Sequence, residues 1–491
     1  MMHVNVASLS LASLKSQTQI KHLTADSRQV QAGSLFVAYK GEAADGRAYI
    51  PQAIANGASA VIWEQDGFVW NADWNLPNQA VLGLKQEIGA IASEFYGAPS
   101  QSIWMVGVTG TNGKTTCTHW LAQAFASLNR QSAVIGTLGN GLVGKLSTTT
   151  NTTPDAIILH GLLAEFLAQK TEIVAMEVSS HGLDQGRVNG VNFDVAVFTN
   201  LTRDHLDYHG DMQAYGEAKK KLFVWDGLKV AVLNRDDAFG KQLAMELSAQ
   251  GKAVMTYGLN EDVASANDIA LKNMQLSEAG MTLEVLTPQG EATISASVIG
   301  QFNAYNLLAV LATLLASDVA LADAVKALSV IRPVAGRMQQ YGGGKYPLIV
   351  VDYAHTPDAL EQVLKSLRAQ LSPSSELICV FGCGGDRDQG KRPLMGKVAA
   401  DLASRVIVTS DNPRNEPAAS IVKAVLAGAG NNATSIESRA EAIKYAIHQA
   451  KKGDVVLIAG KGHEDYQEIA GVKYPFSDMQ VAQETLQEMA A

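Results

Sequence analysis

Apolar and polar positions are patterned differently in three stretches of the chain. Residues 1–100 mix short apolar runs with turns. Ser34-Leu-Phe-Val-Ala38 and Gly57-Ala-Ser-Ala-Val-Ile-Trp63 predict strands, and Ile50 to Asn56 between them has helical spacing. Gly97-Ala-Pro-Ser100 is a turn signal and marks a first boundary. From Ile103 onward, apolar runs alternate with helical segments. The runs are Ile103–Thr109, Ala133–Gly136, Glu172–Val178, Asp194–Asn200 and Lys229–Asn234, and their alternation predicts a parallel sheet with crossover helices. Residues 267–299 alternate polar with apolar around an internal turn, which predicts a small antiparallel addition, and Asn303–Leu315 reads as a helix. Arg332-Pro-Val-Ala-Gly336 breaks the pattern. Beyond it, strands are expected at Leu348–Asp352, Glu376–Phe381, Arg405–Thr409 and Asp454–Ala459, with helices at 357–370, 391–403 and 439–450. The expectation is an α/β chain of three domains, 1–100, 101–333 and 334–491, in which a central parallel-sheet domain is flanked by smaller α/β domains.

Composition adds exclusions. Hydrophobic residues make up 47% of 491 and charged residues 18%, enough apolar material for several cores and too much for a disordered chain. Thirty-nine Lys+Arg against 48 Asp+Glu give a net charge of −9, which disfavours sequence-independent nucleic-acid binding. The three cysteines, Cys117, Cys379 and Cys383, are too few for a disulfide framework, and no second Cys/His pair completes a zinc site around 379 and 383. They read as reduced thiols in or near packed elements. The first residues lack a continuous signal-type apolar run, and no stretch approaches about 18 apolar residues, so a cytoplasmic location without a transmembrane segment is expected.

Val106-Gly-Val-Thr-Gly-Thr-Asn-Gly-Lys-Thr-Thr116 runs from a strand through a glycine turn into a helix. Such a turn aims backbone N–H groups at phosphate oxygens, and the helix N-terminus adds positive potential. Gly110, Thr111, Asn112, Gly113, Lys114, Thr115 and Thr116 therefore form the candidate ATP loop, with Lys114 reaching the β/γ-phosphates and the Thr115 hydroxyl a ligand for Mg²⁺. A general P-loop would carry glycine at 108, where this chain has valine. Glu177 ends an apolar strand, a position from which a carboxylate could hold a metal, or simply cap the strand. Taken alone, Ala218-Lys-Lys-Lys-Leu-Phe223 is a solvated basic helix face, Asn303 a helix cap, and Asp411-Asn-Pro an ordinary turn.

The loop variant Gly110-Thr-Asn-Gly-Lys-Thr115 resembles the Mur ligase and folylpolyglutamate synthetase superfamily. Gly-Arg337, Asp352-Tyr-Ala-His-Thr-Pro357, Phe381-Gly-Cys-Gly-Gly-Asp-Arg-Asp388 and Gly460-Lys-Gly-His-Glu464 follow in that family's order, so the resemblance covers nearly the whole chain. It implies an ATP-dependent amide ligase of cell-wall precursor synthesis in which Glu177 and His205 bind Mg²⁺. It also implies that Lys219, rather than Lys220 or Lys221, is carbamylated to give an anionic oxygen ligand for a second Mg²⁺. Asn303, Asn306, Arg337, Asp352 and His355 would meet ATP. Ser27 in Asp26-Ser-Arg28, the loop Thr150-Asn151-Thr152-Thr153-Pro154, and Ser179, Gln185 and Arg187 would meet a UDP-linked muramoyl peptide. Arg387, Asp411, Asn412, Pro413, Arg414, Gly460 and Glu464 would surround the incoming amino acid. Arg414 points to the diaminopimelate-adding branch, because an arginine pairs bidentately with a distal carboxylate that lysine lacks. Its competitors are a lysine-adding ligase, a folylpolyglutamate synthetase and a nucleotide-binding regulator without turnover. The expected partners are small molecules only, and the chain is expected to be a monomer.

Overall fold

The computed structural model describes residues 11, 14–41, 44–149, 151–260, 267–277, 280–430 and 433–490. Thr150 and most of the N-terminal stretch read for a signal lie outside the described residues. The chain divides into two compact units. Unit 1 comprises residues 1–107, 130–196 and 221–229, and unit 2 comprises 108–129, 197–220 and 230–491.

Unit 1 opens with four parallel strands in sequence order: β1 (His22–Thr24), β2 (Ser34–Ala38), β3 (Ala58–Glu64) and β4 (Asn78–Val81). Alternate residues of β2 and β3 serve opposite faces. Leu35, Val37, Ala60 and Ile62 join one buried cluster, and Phe36, Ala38, Val61 and Trp63 the other. Next come β5 (Trp104–Thr109), β6 (Ser132–Gly136), β7 (Gly139–Leu142), β8 (Lys145–Ser147) and β9 (Ile173–Glu177), in the order β5-β9-β6-β7-β8.

From Val195 onward, β10 (Val195–Phe198), β11 (Val230–Asn234), β12 (Val254–Gly258), β13 (Asp268–Ser277), β14 (Gly280–Thr287) and β15 (Gly290–Ala296) lie in sequence order, all but the first two residues of β10 in unit 2. The pairings from β11 to β13 are parallel and those from β13 to β15 antiparallel. The addition expected at 267–299 is thus three strands with two turns, joined to the parallel sheet through β13. A six-stranded sheet follows, built from β16 (Gln339–Gly342), β17 (Leu348–Asp352), β18 (Leu377–Phe381), β19 (Arg405–Val408), β20 (Ala433–Ser435) and β21 (Val455–Ala459). Its order is β16-β17-β21-β18-β19-β20, parallel except for β16. The period-two rule divides its apolar residues. Ile349, Val351, Ile378, Val380, Val456 and Ile458 pack with Ala442, Ile443 and Ile447 on one side. Val350, Cys379, Phe381, Val408 and Leu457 pack with Leu360, Leu364 and Met395 on the other. A last hairpin pairs β22 (Tyr466–Ile469) with β23 (Val472–Pro475).

Cys117, Cys379 and Cys383 are buried thiols outside any disulfide. Burial pushes Cys379 and Cys383 up to about 12, so neither is a thiolate at neutral pH.

Candidate functional site

Most candidate side chains leave the carboxyl ends of parallel strands, where ligands of open α/β sheets bind. Thr109 closes β5, and the loop 110–113 turns into helix α1 (Lys114–Ser127). Gly110 is required by contact. It has a φ of 146°, and a Cβ there would fall 1.9 Å from Thr199 Oγ1. Asn200 holds the loop, accepting Thr111 N–H on its carbonyl at 2.8 Å and Asn112 N–H on Oδ1 at 2.9 Å. Thr111 Oγ1 accepts Thr202 N–H at 3.0 Å. Gly113 caps α1 with no side chain, which leaves the positive end of the helix for an anion. Lys114 Nζ folds over the loop onto the carbonyls of Gly110 and Thr111, both at 2.8 Å, and Thr115 and Thr116 are buried behind it.

Arg337 joins this loop to the last domain-sized segment of unit 2. Its Nη2 donates to Thr115 Oγ1 at 3.0 Å, and its guanidinium lies 4.3 Å from the Tyr353 ring centroid. Its Nη1 is buried without a hydrogen-bond partner among the described residues. A buried cationic donor with no acceptor, beside an anion-binding loop, is what a bound phosphate would satisfy. Burial and the Arg337 charge lower His119 to about 4, and burial, with Arg337 next, lowers His463 to about 3, so both imidazoles stay neutral at physiological pH. Asp352 spends its carboxylate on the backbone, accepting Met338 N–H and Ala354 N–H at 2.8 Å each. It fixes the segments that carry Arg337 and His355. Asn303 does not cap its helix, α3 (Phe302–Ala316). The cap is Gln301, without a side-chain bond, while Asn303 Nδ2 donates to Ile299 O at 2.7 Å and Asn306 Nδ2 to Asn303 Oδ1 at 2.8 Å.

Lys219 lies on helix α2 (Met212–Lys220), and its Nζ donates to Gly110 O at 3.0 Å. Burial first, and then the Lys114 charge, hold it well below the usual lysine range. His205 Nε2 is 3.3 Å from Asp204, which also faces His355 Nε2 and Lys391 Nζ at 3.7 Å each. Burial alone would raise the Asp204 carboxyl. The His355 hydrogen bond and the His205, His355 and Lys391 charges hold it well below the carboxylate range.

In unit 1, Glu177 receives the Thr137 N–H at 2.8 Å and the Thr137 hydroxyl at 3.2 Å. Thr137 Oγ1 lies 3.0 Å from Thr152 Oγ1. Thr153 Oγ1 donates to Glu177 O and accepts Ser179 N–H. Arg187 donates to Thr153 O and to Gln185 Oε1, both at 2.8 Å. Thr152, Thr153, Glu177, Ser179, Gln185 and Arg187 are thus one connected cluster. Asn151 is exposed next to it, and the Ser27 hydroxyl donates to Gln52 Oε1 at 2.8 Å within the first sheet region.

The last cluster gathers the ends of β18, β19 and β21. Asn412 Nδ2 donates to Glu464 Oε2 at 2.8 Å, and the buried Lys461 ammonium reaches Asn412 Oδ1 at 3.0 Å and Glu464 Oε2 at 2.8 Å. Arg414 Nη1 donates to Gly385 O at 2.8 Å. Asp411 accepts Asn412 N–H at 2.7 Å and lies 3.8 Å from Arg439. Gly460 passes close to the Asp411 carboxylate, Pro413 lies between Asn412 and Arg414, and Arg387 is exposed at the edge. Sequence reasoning passed over Thr137, Asp204, Lys391 and Lys461. Asp204 and Lys461 adjoin residues it named, whereas nothing in the local pattern distinguishes Thr137 or Lys391.

Among the described residues no group of three or more His, Cys, Asp or Glu side chains gathers to hold a metal. Residues 19–96, 108–314 and 336–462 match the Mur ligase family catalytic domain, the Mur ligase middle domain and the Mur ligase glutamate ligase domain, respectively. The chain is 53% identical over 469 residues (95% of it, 94% of the relative) to the UDP-N-acetylmuramoyl-L-alanyl-D-glutamate--2,6-diaminopimelate ligase of Chromobacterium violaceum. It is 50% identical over 489 residues (96% and 94%) to the ligase of the same name from Nitrosomonas europaea. A solved structure of a protein of that name superposes with a TM-score of 0.68 at 39% identity, covering 96% of each chain. With all three of its segments matched and half its residues shared with such relatives, the chain belongs to the Mur ligase family.

Proposed function

We infer that this chain is an ATP-dependent acid–amino-acid ligase of peptidoglycan precursor synthesis. It joins meso-2,6-diaminopimelate to the D-glutamate γ-carboxylate of UDP-N-acetylmuramoyl-L-alanyl-D-glutamate. The observation that carries this reading is half identity, over 95% of the chain, to ligases named for that reaction. Arg414, held within the cluster of Asn412 and Glu464, supports the choice of acceptor. We assign 1–100 to the UDP-sugar, 101–333 to ATP and 334–491 to the amino acid, and we place the enzyme in the cytoplasm.

In this reading Gly110–Thr116 cradle the ATP phosphates, with Lys114 and Arg337 setting positive charge against them. Asn303, Asp352 and His355 hold or support the nucleoside end. Ser27, Asn151, Thr152, Thr153, Ser179, Gln185 and Arg187 hold the UDP-muramoyl dipeptide. A γ-carboxylate oxygen attacks the γ-phosphorus, ADP leaves, and an acyl phosphate remains. The diaminopimelate amine attacks its carbonyl carbon, inorganic phosphate departs from the tetrahedral intermediate, and an amide is left. Arg387, Asp411, Asn412, Pro413, Arg414, Gly460 and Glu464 surround the amine's owner.

Thr115, Glu177 and His205 are proposed to serve Mg²⁺, and Lys219, once carbamylated, a second Mg²⁺. Hydroxyl, carboxylate and carbamate oxygens suit these hard cations, which keep waters and substrate phosphates among their ligands. When bound, Mg²⁺ neutralises phosphate charge so that a carboxylate can approach. As an ammonium, Lys219 would oppose a cation. The buried site favours its neutral amine, which can add CO₂ with loss of a proton to become an anionic carbamate.

The test is phosphate release by purified protein with ATP, Mg²⁺ and the UDP-dipeptide, offering meso-diaminopimelate or L-lysine in parallel. Release only with meso-diaminopimelate, with a tripeptide product by mass, is expected. Preference for lysine would overturn the acceptor, and release with neither would overturn the ligase.

A further inference from the structure

The β22–β23 hairpin has no part in the mechanism above, yet Glu468 in β22 grips the Asp411–Arg414 loop at three points. Its carbonyl accepts Arg414 N–H at 3.0 Å. Its own N–H donates to Asn412 Oδ1 at 2.9 Å. Its Oε2 lies 3.3 Å from Arg414 Nε. The ladder continues one step further, where Ala470 N–H donates to Arg414 O at 2.7 Å and Arg414 bridges to Ile469.

This grip falls on a residue that needs it. Arg414 has a φ of 50°, in the left-handed region that a long side chain rarely adopts, and such a conformation persists only where its surroundings over-determine it. Its fork is also fixed, because Nε faces Glu468 and Nη1 donates to Gly385 O. The remaining N–H groups of Nη1 and Nη2 form the edge that a carboxylate could meet bidentately. Through Asn412, Glu468 reaches the amide that donates to Glu464. Position 468 therefore holds both side chains of the loop, Asn412 through its main-chain N–H and Arg414 through the Glu468 carboxylate.

We propose that Glu468 is a positioning residue for the acceptor amino acid, its carboxylate orienting Arg414 so that only a diamino acid with a distal carboxylate is well held. This rests on the reading of the chain as a diaminopimelate-adding ligase. Two effects of the carboxylate oppose each other. It immobilises the Arg414 fork, and it places a negative charge near where the substrate carboxylate would arrive. Preorganisation dominates here, because the Glu468 carboxylate is already paired with Arg414 Nε at 3.3 Å.

The experiment compares steady-state kinetics of wild type, Glu468→Ala, Glu468→Gln, Arg414→Ala and the double variant Arg414→Ala/Glu468→Ala. For Glu468→Ala we expect KM for meso-diaminopimelate to rise about tenfold, with kcat and the KM values for ATP and UDP-dipeptide within twofold. Glu468→Gln, which keeps an acceptor oxygen for Nε, recovers most of the loss. The double variant is no worse than Arg414→Ala, as two residues acting through one contact require. An unchanged or lowered KM in Glu468→Ala would overturn the proposal, as would equal losses in all three KM values. Wild type that releases no phosphate with meso-diaminopimelate would overturn the functional reading, and this proposal with it.

Discussion

Lys219 Nζ is fully buried, donates to Gly110 O at 3.0 Å and lies 4.2 Å from the Tyr215 ring centroid. Gly110 O keeps a second donor in Lys114 at 2.8 Å, so removing the Lys219 amine orphans no acceptor. The folded-state pKa of Lys219 lies well below its unfolded value, for reasons of burial and then of Lys114. Between those two values the unfolded chain binds the extra proton, so at neutral pH this lysine subtracts stability. Lys219→Met, in buffer purged of CO₂, is therefore expected to raise the unfolding free energy by about 1–2 kcal/mol while abolishing phosphate release. Urea titration of the nucleotide-free protein measures this, and a destabilised variant would mean that the buried amine is net favourable. The sequence around it explains why local reading was mute: Lys220 pairs with Glu246 and Lys221 with Asp184, as residues of a basic face do. Helix phase alone buries Lys219, and only the family motif singled it out.

Strands with two buried faces announce themselves as unbroken apolar runs, and Leu348–Asp352, Leu377–Phe381 and Val455–Ala459 fell within one residue of expectation. Edge strands do not. β1, β16 and β20 are three or four residues long and half polar, and no period-two signal accumulates over that length. Helix Ala418–Ala429 was also missed, although Ile421, Val422, Val425 and Ala429 give it a buried face; most of its other residues are small. Those small residues serve a close crossing with helix Lys391–Leu402. A Cβ on Gly396 would fall 2.1 Å from Val425 O, and one on Gly428 would fall 1.8 Å from Pro393 O. In an exposed helix Gly→Ala gains about 1 kcal/mol. Here the obstacle is a carbonyl, which yields only if the helix moves, at about 1–3 kcal/mol. Gly396→Ala is thus expected to lose about 1 kcal/mol net, read as a lower urea midpoint at unchanged m-value. A gain would show that the two helices part without cost.

Within unit 2 the candidate loops come from β17, β18, β19 and β21, strands separated by up to a hundred residues of sequence and brought side by side by the sheet order. Motif order could name these loops, but only the topology shows which buried charges hold them together. Arg439 is fully buried, paired with Asp478 through two 2.7 Å bonds, and 3.8 Å from Asp411. Burial pushes the Asp411 carboxyl up, but the Arg439 and Lys461 charges and the Asn412 N–H more than reverse this, leaving it below its unfolded value. A depressed carboxylate contributes stability that is full above the unfolded pKa, about 3.9, and is lost as pH falls through the folded one. Asp411→Asn keeps an acceptor for Asn412 N–H. It also leaves Arg439 its Asp478 partner and Lys461 its Glu464 partner, so no bare charge is created. Its cost should be the charge-assisted part alone, about 1–3 kcal/mol at pH 7. Urea unfolding of wild type and variant at pH 7.5, 5.5 and 3.5 distinguishes the cases. The difference should be equal at the first two and shrink at the third, as Asp411 in the unfolded chain begins to take up the proton. A difference constant down to pH 3.5 would mean that the ionised form is not what ties this loop to the rest of the molecule, and that shape alone holds it.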